Sequence, residues 1–223
     1  MIENSVIQGD STVVLKSLPS ASVDFVLTDP PYFVKYRDRL GRTIRNDRYP
    51  GTVLDAFKDV ARILKPNRLC VSFYSWNHVG AFTSAWKEAD LYPVGHIVFK
   101  KVYASSQRFL RYTHESAFLL AKGRPELPAT PINDVLPWHY SGNRGHPTEK
   151  SVETLKPIIE AFTKAGDVIL DPFAGSGSAL VAAALLRRQY IGIELEGNYC
   201  DLARRRLAGV ERHSRAHSKA KSP

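Results

Sequence analysis

Cysteine is nearly absent. Cys70 and Cys200 are the only two in 223 residues, and no CxxC pair exists. Both fall in apolar, regular-looking stretches, so they read as free buried thiols in a reducing compartment rather than as a disulfide framework. No apolar run approaches the roughly 20 residues that a membrane span requires. The opening MIENSVIQGDS has neither the basic nor the apolar stretch of a signal peptide. The chain is therefore expected to be cytoplasmic, with no membrane partner. Acids are scarce as well, with 22 Asp plus Glu against 31 Lys plus Arg and a net charge of +9. That surplus favours a polyanionic partner such as nucleic acid. His213 and His217 lie four apart without further ligands, so no metal is expected.

What is present is an alternation of short apolar runs with helical patterns. SVIQGD reads as a strand ending in a turn, TVVLKSL as a short helix, and VDFVLTD as a buried strand. In residues 51–64, Val53, Leu54, Phe57, Val60, Ala61 and Leu64 share one helical face. KPNR then breaks the helix and RLCVSFYS forms the next strand. A helical stretch over 77–90 leads to two longer strands, GHIVFKKV and HESAFLLAK. Residues 123–145 carry four prolines and three glycines, which predicts a loop or crossing segment. Regular structure resumes at HPTEKS, with Thr148 as the expected N-cap. DVILDPF, GSGSALVAAALLRR and YIGIELE follow as strand, helix and strand. A last helix over about 197–208 gives way to a basic tail, 209–223, expected to be disordered. Alternating strands and helices predict an α/β fold, a mostly parallel sheet with helices on both faces. The two long strands would supply an antiparallel pair.

Two motifs carry chemistry. In LDPFAGSGSA, at 170–179, Gly175 and Gly177 allow a sharp turn and close approach of a ligand to a helix N-terminus. The plain alternative is a tight strand-to-helix turn. Leu180 stands where a dinucleotide fingerprint needs its third small residue, and a phosphate-loop lysine is missing. About twenty residues on, Glu194 ends the next strand, where an acid can accept hydrogen bonds from both hydroxyls of a ribose. Asp171 and Glu194 together disfavour a phosphate and suit a cation, such as a sulfonium.

The second motif is TDPPY, at 28–32. A carboxylate at a strand's carboxyl end lies in the crevice where open α/β sheets bind ligands. Pro31 restricts Pro30 to extended geometry, and no amide proton follows to occupy the Pro30 carbonyl. Asp29 and that carbonyl form a pair of acceptors for an NH2 group, and Tyr32 offers a face for a flat ring. The plain alternative is an Asp-Pro turn beside a buried tyrosine.

DPPY, DPFAGSGS and HPTEKS together resemble the S-adenosylmethionine-dependent amino DNA methyltransferases. The order, with TDPPY first and HPTEK and the glycine loop last, resembles the circularly permuted beta class over nearly the whole chain. The resemblance implies a Rossmann-like methyltransferase domain over 1–208, with a catalytic half (1–122), a short recognition segment (123–145) and a cofactor half (146–208). It implies S-adenosylmethionine as cofactor and transfer of its methyl group to a flipped adenine in duplex DNA. Asp29, Pro30, Pro31 and Tyr32 would hold the target amine. Asp171, Phe173, Gly175, Ser176, Gly177 and Glu194 would form the cofactor loop and its ribose acid, with Asp29 bordering them. His146, Pro147, Thr148 and Lys150 would line the methionine end, and Asp10 would read the cofactor's adenine or simply cap a helix. Asp29 favours adenine N6, with cytosine N4 as the nearest rival. A non-catalytic nucleic-acid-binding protein on the same fold is a further alternative.

The expected DNA surface is the basic run after TDPPY, with Lys35, Arg37, Arg39, Arg42, Arg45 and Arg48, joined by Lys100, Lys101, Arg108 and Arg111. Larger relatives insert a recognition region before the HPT motif, and here residues 123–145 stand in its place. A homodimer would be one way to supply the missing surface.

Overall fold

The computed structural model describes residues 4–32, 50–107, 109–142 and 149–219, with only the backbone of 50–52 and 213–219. Eight strands form one sheet in the order β1-β8-β7-β2-β3-β5-β4-β6. They are β1 (Ser5–Gln8), β2 (Val23–Thr28), β3 (Leu64–Phe73), β4 (Tyr92–Lys100), β5 (His114–Lys122), β6 (Val135–Pro137), β7 (Val168–Asp171) and β8 (Gln189–Glu194). Among these strands only β5 runs against the others, pairing antiparallel with both β3 and β4. The mostly parallel sheet and its antiparallel pair follow the alternation in the sequence.

The sheet is covered on both faces. The helices α1 (Ser11–Ser17), α2 (Pro50–Ile63) and α3 (Val79–Glu88) pack on one face, through Leu15, Phe57, Val60, Phe82 and Trp86 against Val26, Cys70 and Leu170. On the other face α4 (Val152–Phe162), α5 (Ser178–Leu185) and α6 (Gly197–Lys219) set Leu155, Ile158, Leu180 and Leu207 against Phe25, Leu27, Val71 and Ile169. Alternate residues of β2 thus enter different cores, as a strand's period of two requires. All six residues of β2 are buried, which is why VDFVLT reads as a continuous run.

At the amino ends of the strands Asp24 joins three neighbours. Its carboxylate accepts from Lys65 Nζ at 2.8 and 2.9 Å, from Arg68 at 3.2 Å and from the Val168 amide at 3.1 Å. That brings together β2, β3 and β7.

Several boundaries differ from expectation for identifiable reasons. KPNR does not separate helix from strand, because β3 starts at Leu64 and absorbs it. The register against β2 shifts between Val23 and Phe25, and Asn67 takes a left-handed φ of 56°. Pro66, lacking an N–H, fits such a bulge. The N-cap of α4 is Ser151, whose hydroxyl accepts from the Thr154 amide at 3.1 Å, and not Thr148. Residues 135–137 inside the crossing segment pair in parallel with β4. Finally α6 continues to Lys219, past the expected end near 208, through a stretch that contains no proline.

The turn into α5 is set by close packing. Gly177 has φ 79°, and a Cβ there would meet the Ala203 Cβ at 2.8 Å. Gly192 in β8 lies under Leu180, and a Cβ there would come within 2.3 Å of Leu180 Cδ1 and 3.2 Å of Ala174. The close helix-to-strand approach that a dinucleotide fold obtains from its third glycine is made here from the strand side. Gly192→Ala is accordingly expected to destabilise the protein by about 1–3 kcal/mol in urea unfolding. Leu180→Ala in that background should cost less than it does alone, because the two positions share one contact.

Candidate active site

With seven strands pointing one way, their carboxyl ends and the amino end of β5 form a single edge of the sheet. Asp29 leaves β2 there, Asp171 ends β7 and Glu194 ends β8. Residues separated by more than 160 positions in the chain are thereby gathered on one rim.

Asp29 is at the centre. Tyr32 Oη donates to Asp29 Oδ1 at 2.6 Å, and Lys150 Nζ donates to Oδ2 at 2.5 Å. The lysine side chain is 8% exposed and the aspartate 23%. Aromatic faces surround the ammonium, with ring centroids of Phe73 at 4.7 Å, Tyr32 at 5.6 Å and Trp138 at 5.8 Å. Burial and the adjacent Asp29 charge push the Tyr32 phenol well above its ordinary range, so it remains a donor. A carboxylate has about four lone-pair positions. With one donor on each oxygen, Asp29 is fixed in orientation and keeps acceptor capacity for a further N–H.

A second acidic group lies alongside. Asp171 is buried and accepts from the Phe173 amide at 3.1 Å. Burial, with the charges of Asp29 and Glu194 adding to it, raises its carboxyl from 3.8 to about 8, against the opposing pull of Lys150. Burial likewise raises Glu194. Its two oxygens accept from the backbone amides of Gly175 and Glu196, each at 2.8 Å. Glu194 therefore ties β8 to the glycine loop, in which Gly175 has φ 51°, while retaining lone pairs for two hydroxyl donors. Asp10 caps α1, accepting from the Thr12 amide at 2.9 Å and its hydroxyl at 2.7 Å. Ser11, next to it, donates to the Pro172 carbonyl in the loop after β7. Crowded acids repel phosphate and favour a cation, and the surroundings of Asp171 fit a ligand that brings positive charge.

The structure thus brings together Asp29, Pro30, Pro31, Tyr32, Lys150, Asp171, Phe173, Gly175, Ser176, Gly177 and Glu194, with Asp10 on the same edge. His146, Pro147, Thr148 and Arg108 lie outside the described residues, as do Lys35, Arg37, Arg39, Arg42, Arg45 and Arg48. Lys100 and Arg111 are exposed. Lys101 is a correction. Its side chain is 3% exposed, it pairs with Glu115, and its ammonium lies 5.1 Å from the Trp138 ring. It braces the site wall and does not face solvent.

Three contributors escape a reading of motifs. Phe73 and Trp138 wall the lysine from the end of β3 and from the residue after β6. Arg206 of α6 pairs with Glu149 at 2.9 Å and donates to the Ser176 carbonyl at 2.7 Å, joining the HPTEK stretch to the glycine loop. An arginine inside ARRRLAG carries no local signal for that role. Trp138 could have been suspected as the tryptophan of a crossing segment that otherwise reads as a loop.

The DNA methylase family model matches residues 23–136 and 130–205. "Putative methylase YubD" of Escherichia coli (strain K12) is 52% identical over 206 residues, covering 92% of this chain and 91% of that protein. The DNA adenine methyltransferase YhdJ of the same strain is 28% identical, over 97% of this chain and 86% of that protein. Among solved structures, the M1.HpyAVI–SAM complex superposes with a TM-score of 0.72 at 24% identity, covering 91% of this chain and 98% of that one. The cytosine-N4-specific PvuII DNA methyltransferase superposes with a TM-score of 0.74 at 18% identity, over 92% and 86% of the two chains. The sheet with helices on both faces is thus the Rossmann-like fold of methyltransferases. Matched by the family model along most of its length and by YubD over nearly all of it, the chain belongs to the N6/N4 DNA methylase family.

Proposed function

We propose that the protein transfers a methyl group from S-adenosylmethionine to the N6 amino group of an adenine flipped out of duplex DNA. The observation that carries this reading is Asp29, held by Tyr32 and Lys150 with acceptor capacity to spare, next to an acidic loop that fits a cationic ligand. Adenine is favoured over cytosine by the acid that opens DPPY and by the likeness to YhdJ.

The bound cofactor supplies an electrophilic methyl on a positively charged sulfur. Glu194 accepts the ribose hydroxyls, Asp171 faces the cation, and the loop Gly175-Ser176-Gly177 lets the backbone approach closely. Asp10 borders the adenine end. On the DNA side, Asp29 and the Pro30 carbonyl accept the two N–H groups of the target amine. The lone pair of a ring-bound amine is delocalised, and two acceptors draw the nitrogen towards tetrahedral geometry, so the lone pair is aimed. Tyr32 stacks on the base. The proton shed by nitrogen leaves along its hydrogen bond to Asp29. Held by two donors, that carboxylate acts as an orienting acceptor more than as a strong base. Positioning supplies most of the rate.

The direct test is methyl transfer from labelled S-adenosylmethionine to unmethylated duplex DNA, followed by digestion to nucleosides and mass identification. N6-methyladenine is expected. N4-methylcytosine would overturn the choice of base and retain the chemistry. Asp29→Asn keeps the shape of the side chain and an acceptor for Lys150. It is expected to lower kcat by about a hundredfold or more while S-adenosylmethionine binding, measured by calorimetry, changes little.

The raised Asp171 carboxyl gives a pH dependence with a definite sign. Below about 8 the ligand-free site holds a proton on Asp171. A cationic ligand favours the ionised form, so binding below that pH must displace the proton. Affinity for S-adenosylmethionine should therefore fall by up to about tenfold per unit as pH drops from 8 to 6. S-adenosylhomocysteine, which lacks the positive sulfur, should show a shallower slope. Equal slopes in calorimetric titrations would remove the assignment of Asp171 to the cation.

A further inference from the structure

The connection from β4 to β5 rises from the same edge of the sheet as Asp29. Adjacent strands lie about 4.8 Å apart and β5 is two places from β2, which sets it roughly 10 Å to the side of β2. From Phe118, level with Thr28 through Ser72, β5 reaches on to the base of the connection at His114. It is a built hairpin. Lys101 donates to the Thr113 carbonyl at 2.8 Å, Ser105 to the Tyr112 carbonyl at 2.9 Å, and Tyr112 to the Ser106 carbonyl at 3.0 Å. A bridge pairs Gln107 with Arg111, and Tyr112 stacks on Trp76 with ring centroids 6.3 Å apart. These contacts present at the tip the side chains that a soluble surface usually hides. Phe109 is fully exposed at 102%, Leu110 is 68% exposed, and Val102, nearer the base, is 98% exposed.

We infer that this hairpin is a wedge for duplex DNA, with Phe109 and Leu110 entering the base stack where the target base has left it. The inference rests on the proposed action on duplex DNA. Three observations select DNA as the occupant. Arg111 is exposed directly after the apolar tip and Lys100 is exposed at the hairpin's base, and both suit the phosphates of an approaching duplex. The acid of the hairpin base, Glu115, is paired with buried Lys101, so that carboxylate is withheld from an approaching backbone. The base of the hairpin, at Lys101, lies against Trp138, the ring that also walls Lys150 beside Asp29. Extruding a base leaves two neighbours unstacked, and an apolar side chain in the gap recovers part of that loss. Exposed apolar groups at the end of a hairpin braced by hydrogen bonds are otherwise a liability to solubility.

Phe109 contacts neither the proposed cofactor loop nor Asp29, and Phe109→Ala removes only exposed surface. The experiment uses the full chain and two oligonucleotide duplexes containing a site mapped from DNA methylated by the wild-type protein. One duplex is fully paired, and the other has an abasic nucleotide opposite the target adenine, so that extrusion costs less. Phe109→Ala should lose roughly tenfold or more in kcat/KM on the paired duplex and stay within about twofold of wild type on the abasic one, with Phe109→Trp recovering most of the loss. Equal loss on both duplexes, or none on the paired one, overturns the wedge. Conversion of a dimer to a monomer by Phe109→Ala in size-exclusion chromatography, with equal loss on both, would make the tip an interface between copies and overturn it too. Absence of transfer by wild-type protein to any duplex DNA would instead overturn the underlying function, and the wedge with it.

Discussion

The arrangement at the edge of the sheet depends on the ion pair between Lys150 and Asp29, made across 121 positions of sequence. One partner ends a central strand and the other precedes the first helix of the C-terminal part. A buried pair of this kind is a weak source of stability, because desolvating both charges offsets most of their attraction. Its consequence is geometric. The ammonium holds one oxygen of the aspartate, the Tyr32 hydroxyl holds the other, and three aromatic rings restrict where the ammonium can go. The carboxylate that meets the substrate in the proposed reaction is thereby oriented before the substrate arrives.

Charge in the neighbourhood is graded by burial. Asp171, buried and without a direct cationic partner, is pushed up to about 8, while Asp29 has a lysine at contact distance. Two carboxyls on one rim are thus held differently, and in the proposed reaction one meets an N–H donor and the other a positive ligand. Glu194 differs again. Its oxygens are held by backbone amides, so it organises the loop as well as facing the crevice. The same separation of roles appears among the lysines. Lys101 and Lys150 both lie against Trp138, but Lys101 answers Glu115 and braces the wall, whereas Lys150 answers the acid at the centre.

Much of this was legible in the sequence because it is encoded locally. A strand buried on both faces must be apolar throughout, so VDFVLT and DVILD announce themselves. A helix that begins on a turn needing positive φ shows its glycines at 175 and 177. Acids placed where such strands stop are conspicuous because nothing in the strand explains them. The misplaced boundaries mark the limits of local reasoning. KPNR looks like a terminator, yet pairing with β2 carries the strand through it as a bulge. Thr148 and Ser151 are both capable caps, and the chain uses Ser151. Lys101 looks like a solvent-facing cation until β5 places Glu115 beside it.

The sequence by itself determined the alternation of strands and helices, the covered parallel sheet, the acid-proline turn after β2 and the glycine turn after β7. Each depends on backbone geometry and side-chain period within a few residues. Only the tertiary structure decided which distant groups meet: Lys150 on Asp29, Arg206 on Glu149 and Ser176, and Leu180 over Gly192. It alone decided that Trp138 walls the site while Phe109 is left in solvent. Contacts of this kind are set by strand order and helix placement across the whole chain, and no window of sequence contains both partners.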